Sequence, residues 1–112
     1  MATQATTLEL FYKMSGEQLD YHLHLLSLSP EEILEHAYEF TVREKIMEAV
    51  AQNDMPDKLV QILMKSDTPL KDVFQYYEKM GIGYTPDYWC AVVGTANKAL
   101  RKEFIKHRQQ ER

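Results

Sequence analysis

Apolar residues recur along this chain at intervals of three and four, and no alternating strand pattern survives for more than a few residues. The first such stretch runs from about Leu8 to Leu26. Leu8, Phe11, Tyr12, Ser15, Leu19, His22, Leu23 and Leu26 fall on one stripe, with Glu9, Lys13, Glu17, Asp20 and His24 opposite. The pattern predicts one amphipathic helix with that stripe as its core face. Gly16 falls inside and costs about 1 kcal/mol relative to alanine. A restart at Ser15, with Gln18 completing a capping box, is the alternative. The stripe passes Ser15 without a phase shift, which favours a single helix.

The second helix has the clearest start: Ser29 as N-cap, Pro30 in the first position, and Glu32 closing a capping box. Its first half predicts burial of Ile33, Leu34, Ala37, Tyr38, Phe40 and Thr41. Its second half is out of phase. Glu44 and Glu48 land where the first half was apolar, while Val42, Ile46, Ala49 and Val50 point elsewhere. Either the helix bends or its halves meet different partners. "NDMPDK" separates it from a short third helix with Leu59, Val60, Ile62 and Leu63. Thr68 caps a fourth that begins at Pro69 and carries Leu70, Val73, Phe74, Tyr77 and Met80. Gly81 is its expected stop and "GIGY" a turn. Thr85 and Pro86 start a fifth helix, predicted to bury Trp89, Val92, Val93, Ala96, Leu100 and Phe104. Cys90, Ala91 and Gly94 are small enough on its other side to admit a close neighbour.

These readings predict an all-α fold, a compact bundle of about five helices in one domain spanning 1–112. The ordered core is expected over about 8–104, with 105–112 fraying. The 112 residues are enough to bury a core without staples, and 45% apolar with 27% charged is a globular composition. The single Cys90 rules out an internal disulfide and a zinc ribbon. "MATQATT" does not read as a signal peptide, and no apolar run is long enough to span a bilayer. The expectation is a soluble, cytoplasmic protein with no membrane association. A formal net charge of −4 disfavours nucleic acid as a partner.

The second helix also carries charge. Glu31, Glu32, Glu35, His36, Glu39 and Arg43 share one contiguous face on a helical wheel. Three readings compete for it: a solvated acidic face, a metal site on Glu32 and His36, or a strip that docks a basic surface of a protein partner. A metal would need further ligands, and neither HExxH nor a pair of Glu-x-x-His motifs is present, so no metal and no cofactor is expected. His22, within the apolar stripe, reads as a core histidine, and Cys90 as a buried, inert thiol. The third and fourth helices have helix-turn-helix dimensions, but Pro69, Leu70, Lys71 and Asp72 are a poor start for a recognition helix. Lys98, Arg101, Lys102 and Lys106 form a secondary basic face on the fifth helix. No phosphate loop, nucleophile elbow or paired-cysteine site occurs, so no catalytic residue is assigned and a non-enzyme is expected.

The stretches Tyr12 to Gln18 ("YKM…EQ"), Pro30 to Glu39 ("PEEILEHAYE"), Val42 to Glu44 ("VRE") and Pro69 to Phe74 ("PLKDVF") resemble a family of small bacterial proteins known only as a domain of unknown function. The resemblance covers about Leu8 to Leu100; "GIGYTPDYWCAVVG" follows the pattern less closely. It implies an accessory protein carried by conjugative elements and phages of anaerobic gut bacteria, with no known catalysis. The expected function is therefore protein binding, with inhibition of a host defence nuclease, of the anti-CRISPR type, as the concrete version. A nucleic-acid-binding regulator using helices three to five is the alternative, and an enzyme of unknown type the third.

Overall fold

Proline sets three helix starts: Pro30 and Pro69 are first residues of their helices, and Pro56 immediately precedes another. The computed structural model describes residues 3–80 and 87–110, with side chains over 7–80 and 87–106. Among them the chain forms α1 (Thr3–Leu26), α2 (Pro30–Gln52), α3 (Asp57–Met64), α4 (Pro69–Lys79) and α5 (Tyr88–Gln110), with no strand. The fold is the expected all-α bundle. The Gly81 stop, the "GIGY" turn and the Thr85–Pro86 start lie outside the described residues.

The capping box at α2 is complete. The Glu32 backbone N–H donates to Ser29 Oγ at 3.3 Å, and the Ser29 N–H donates to Glu32 Oε1 at 3.0 Å. Ser29→Ala is expected to lower unfolding stability by about 1 kcal/mol in urea denaturation, with an unchanged slope.

The core gathers Leu10 and Met14 of α1, the second half of α2 from Val42 to Val50, and the apolar faces of α3, α4 and the first half of α5. Of the stripe predicted for α1, Phe11 packs half-buried against this core, but most of the stripe lies outside it. Leu8, Tyr12, Leu19, Leu23 and Leu26 are about half exposed or more, and His22 is exposed. The buried face instead carries Thr7, Leu10, Met14, Gln18 and Leu25. Two of these are polar, so a search for the most apolar stripe passes over them. Gly16 lies within an unbroken helix, as expected.

The half of the α1–α2 hairpin nearest its turn packs loosely. Leu34, Ala37, Tyr38 and Thr41 are exposed, against expectation, and Ile33 and Phe40 only half-buried. The phase break within α2 is real: one half faces the core, the other mostly α1 and water. On α5, Phe104 is exposed at 63%, Trp89 and Leu100 are half-buried, and Cys90 is exposed rather than buried. For Phe104, near the end of the helix, the reason is length. The 23-residue α5 outruns α3 and α4, which have 8 and 11 residues. Gly94 does admit a neighbour: a Cβ there would lie 2.6 Å from the Tyr76 ring. Tyr77 and Tyr88 stack at 5.2 Å and join α4 to α5; burial and the hydrogen bond with Tyr88 push the Tyr77 hydroxyl up to about 12.

Three polar side chains of α1 tie the bundle together. Lys13 Nζ donates to the Met64 carbonyl at the end of α3, at 2.8 Å. Glu17 accepts the backbone N–H groups of Leu70 and Lys71 at the start of α4, both at 2.8 Å. Gln18 Nε2 donates to the Phe40 carbonyl of α2 at 3.2 Å. A cation meets a helix C-terminus and an anion meets a helix N-terminus, each favoured by the helix dipole. Thr68, the expected cap of α4, makes no side-chain cap bond, and Glu17 takes that role from another helix.

Candidate functional site

The six residues predicted to share one face of α2 do different things. Glu32 belongs to the capping box, and its hydrogen bonds from Ser29 hold its carboxyl below the usual range. His36, Glu39 and Arg43 turn inward onto Tyr21 of α1. The Tyr21 hydroxyl lies 3.1 Å from His36 Nδ1. The Arg43 guanidinium lies 4.1 Å from the Tyr21 ring centre and donates twice to Glu39 Oε2, at 2.9 and 2.7 Å. Arg43 is only 5% exposed. A buried guanidinium without a partner is costly, so Glu39 is part of the fold before it can be part of a surface. Burial and the Glu39 charge raise the Tyr21 hydroxyl. A wheel drawn for α2 alone cannot show this, because the covering ring comes from α1.

Glu31 and Glu35 remain open to solvent. Beside them, in the series i, i+3, i+4 and i+7, stand Leu34 at 74% exposure and Tyr38 at 57%. Tyr38 is held in place. Its ring meets the Phe74 ring edge-on at 6.2 Å, and its hydroxyl donates to Glu78 Oε2 at 2.9 Å, which raises the hydroxyl's pKa. The arrangement is an apolar pair bracketed by carboxylates, extended onto α4 by Glu78. Leu34 and Tyr38 were read from sequence as core. The mid-helix phase break was the signal that one half of α2 had no core to face.

The secondary basic residues Lys98, Arg101, Lys102 and Lys106 are all exposed. Lys98 and Lys102 also line a groove of about 320 Å³ between α4 and α5, together with Lys79, Tyr76 and Asp72. Lys79 joins this face from α4, a contribution that the spacing along α5 does not reveal. Nearby, Lys65 pairs with Glu103 at 2.7 Å. The turn between α3 and α4 does not offer a recognition helix. Its first N–H groups are occupied by the Glu17 carboxylate, and Pro69 and Leu70 are buried.

Among the described residues no three His, Cys, Asp or Glu side chains converge as metal ligands, and no helix is long and apolar enough to cross a membrane. Cys90 follows Asp87, whose carboxylate accepts the Cys90 backbone N–H at 3.0 Å. The Asp87 charge raises the thiol's pKa, so Cys90 is accessible but a poor thiolate.

The chain belongs to a family described as a protein of unknown function, DUF3848, whose model matches residues 6–98. Comparisons with curated proteins and with solved structures return no match.

Proposed function

We propose that this member of the family is a protein-binding accessory module without catalysis, docking through the Glu31–Leu34–Glu35–Tyr38 face of α2 onto a basic surface of its partner. The observation that carries the proposal is the exposure of Leu34 and Tyr38 beside two open carboxylates. Apolar and aromatic anchors inside a charged rim are the anatomy of a protein interface. The carboxylates select the sign of the partner and speed the encounter. The concrete version is an inhibitor of a host defence nuclease, whose groove for nucleic acid is basic. The net charge of −4 and the resemblance to proteins of mobile elements support that version.

The test is kinetic. Glu31→Lys with Glu35→Lys leaves the fold intact and slows association with the partner, most at low salt, because rim charges act on encounter. Leu34→Ala speeds dissociation instead. Glu39 is spared, since reversing it would strand Arg43. Purified CRISPR-type nucleases and proteins captured from a host lysate supply the partners. Unchanged rates in both variants would end the proposal. The lysine groove between α4 and α5 favours a second reading, nucleic-acid binding. In that case Lys98→Glu with Lys102→Glu abolishes a strongly salt-dependent binding that the α2 variants leave untouched.

A further inference from the structure

The groove between α4 and α5 has two matched walls. Its lining residues stand at intervals of three, one and three on both helices, from Asp72 to Lys79 on α4 and from Thr95 to Lys102 on α5. That spacing puts each set on one helix face, two turns and about 10 Å long. The volume of about 320 Å³ falls at the small end of ligand sites. Ala99, in the middle of the α5 wall, is too small to fill the space. Gly94 lets the end of the Tyr76 ring close on the α5 backbone: an added Cβ would lie 2.6 Å from its Cε1, Cζ and hydroxyl oxygen.

Charge is the second observation. Lys79, Lys98 and Lys102 line the groove, and no carboxylate among the described residues lies within pairing distance of any of them. Neighbouring carboxylates are engaged elsewhere. Asp72 accepts from Ser66 and Thr68 in the α3–α4 turn, Glu78 from Tyr38, and Glu103 from Lys65. Lys98 and Lys102, one turn apart, repel each other. Three lysines against the one Asp72 carboxylate leave two net positive charges in the groove. The Tyr76 hydroxyl adds a donor. It makes no hydrogen bond with any described residue, yet it is not sealed from solvent. Thr95 is only a wall, since its proton goes to the Ala91 carbonyl at 2.7 Å.

From this arrangement we infer that the α4–α5 groove binds a small phosphorylated molecule, its phosphate dianion held by Lys79, Lys98, Lys102 and the Tyr76 hydroxyl. A phosphate monoester carries a charge of about −1.5 to −2 at pH 7, which matches the two net positive charges of the groove. Its terminal oxygens accept from several donors at once. The remaining space, edged by Gln75 and Asp72, takes a body of roughly nucleoside size. Nucleic acid fits the groove less well. Arg101 and Lys106 do not line it, so the cationic track ends after about 10 Å, whereas single-strand sites span about four nucleotides or more. The site shares no residue with the α2 face proposed above, and neither proposal rests on the other.

The test is titration of the full chain with inorganic phosphate, adenosine 5′-monophosphate and adenosine, followed by calorimetry and by amide NMR shifts. The two phosphates are expected to saturate one site at about 0.1–1 mM in low salt, moving the resonances of Thr95 to Lys102, while adenosine does not bind. Lys98→Gln with Lys102→Gln weakens binding about tenfold or more, and Tyr76→Phe, which removes a hydroxyl without a protein partner, about threefold. Lys45→Gln, on α2 and outside the groove, leaves it unchanged. No saturable binding up to about 10 mM, an equal loss in Lys45→Gln and in the groove variants, or adenosine binding as tightly as its monophosphate would each overturn the inference. So would an affinity for oligonucleotides that rises with their length beyond that of the monophosphate, which would assign the groove to nucleic acid instead.

Discussion

Leu10→Ala is expected to lower the unfolding free energy by about 3 kcal/mol, while Leu8→Ala, two residues away, changes it by less than about 1 kcal/mol. Leu10 has no exposed surface and lies in the core cluster, so its truncation loses apolar burial and leaves a cavity. Leu8 is 49% exposed and keeps much of its contact with water in the folded chain. The two positions are separated by about 200° around the helix, so the pair reports which face of α1 is inside. Urea denaturation of each variant against the parent is the measurement. A shifted midpoint with a constant slope at Leu10 identifies a loss of native packing. The reverse order, with Leu8 the costlier site, would restore the stripe read from sequence as the core face.

That stripe shows where sequence reading succeeds and where it stops. Helix number, type and starts were legible because they depend on local chemistry. The Ser29–Glu32 box, Pro30 and Pro69 act within a few residues of themselves. Facing was legible where an element has a single apolar side, as in α4, whose Leu70, Val73 and Tyr77 are buried as expected, with Phe74 half-buried and Met80, at the helix end, exposed. On α1 there are two candidate sides. The more apolar one is outside, because the inner one spends positions on Thr7 and Gln18. On α2 the acidic face dissolved for a related reason. Glu39 and Arg43 are placed by Tyr21, about twenty residues earlier in the chain, and no periodicity within α2 encodes that ring. Glu31 and Glu35 could be named from sequence because nothing from another helix reaches them. Leu34 and Tyr38 could not, because their exposure depends on where α4 ends and on how little of the core extends beneath the hairpin turn.

Glu17 provides the second large effect, and it too crosses between helices. Glu17→Ala removes both acceptors that cap α4 from α1, and is expected to cost about 2 kcal/mol. The loss is more than that of the Ser29 cap because the bond to Leu70 is partly shielded from water and no local side chain replaces it. Glu17→Gln keeps one acceptor and falls between the parent and Glu17→Ala. The pH dependence carries a distinct sign. Burial outweighs the hydrogen bonds from Lys71 and Leu70 and the charge of Arg43, and raises the Glu17 carboxyl above 4.5 in the folded chain. A raised carboxyl means that the folded state holds the proton more tightly than the unfolded one. Its contribution is therefore fully present below 4.5 and is lost as pH rises through the higher folded value. Denaturation of parent and Glu17→Gln across this window should show the parent losing ground to the variant as pH rises, with a constant difference on either side. Carboxylates that are merely well paired move stability the opposite way, so the direction identifies desolvation as the controlling effect. A parent that gains on Glu17→Gln with rising pH would mean that the two N–H groups hold the carboxylate more strongly than burial opposes it. A Glu17→Ala cost under about 0.5 kcal/mol would mean that α4 is ordered by its apolar face alone, with no need of a cap from α1.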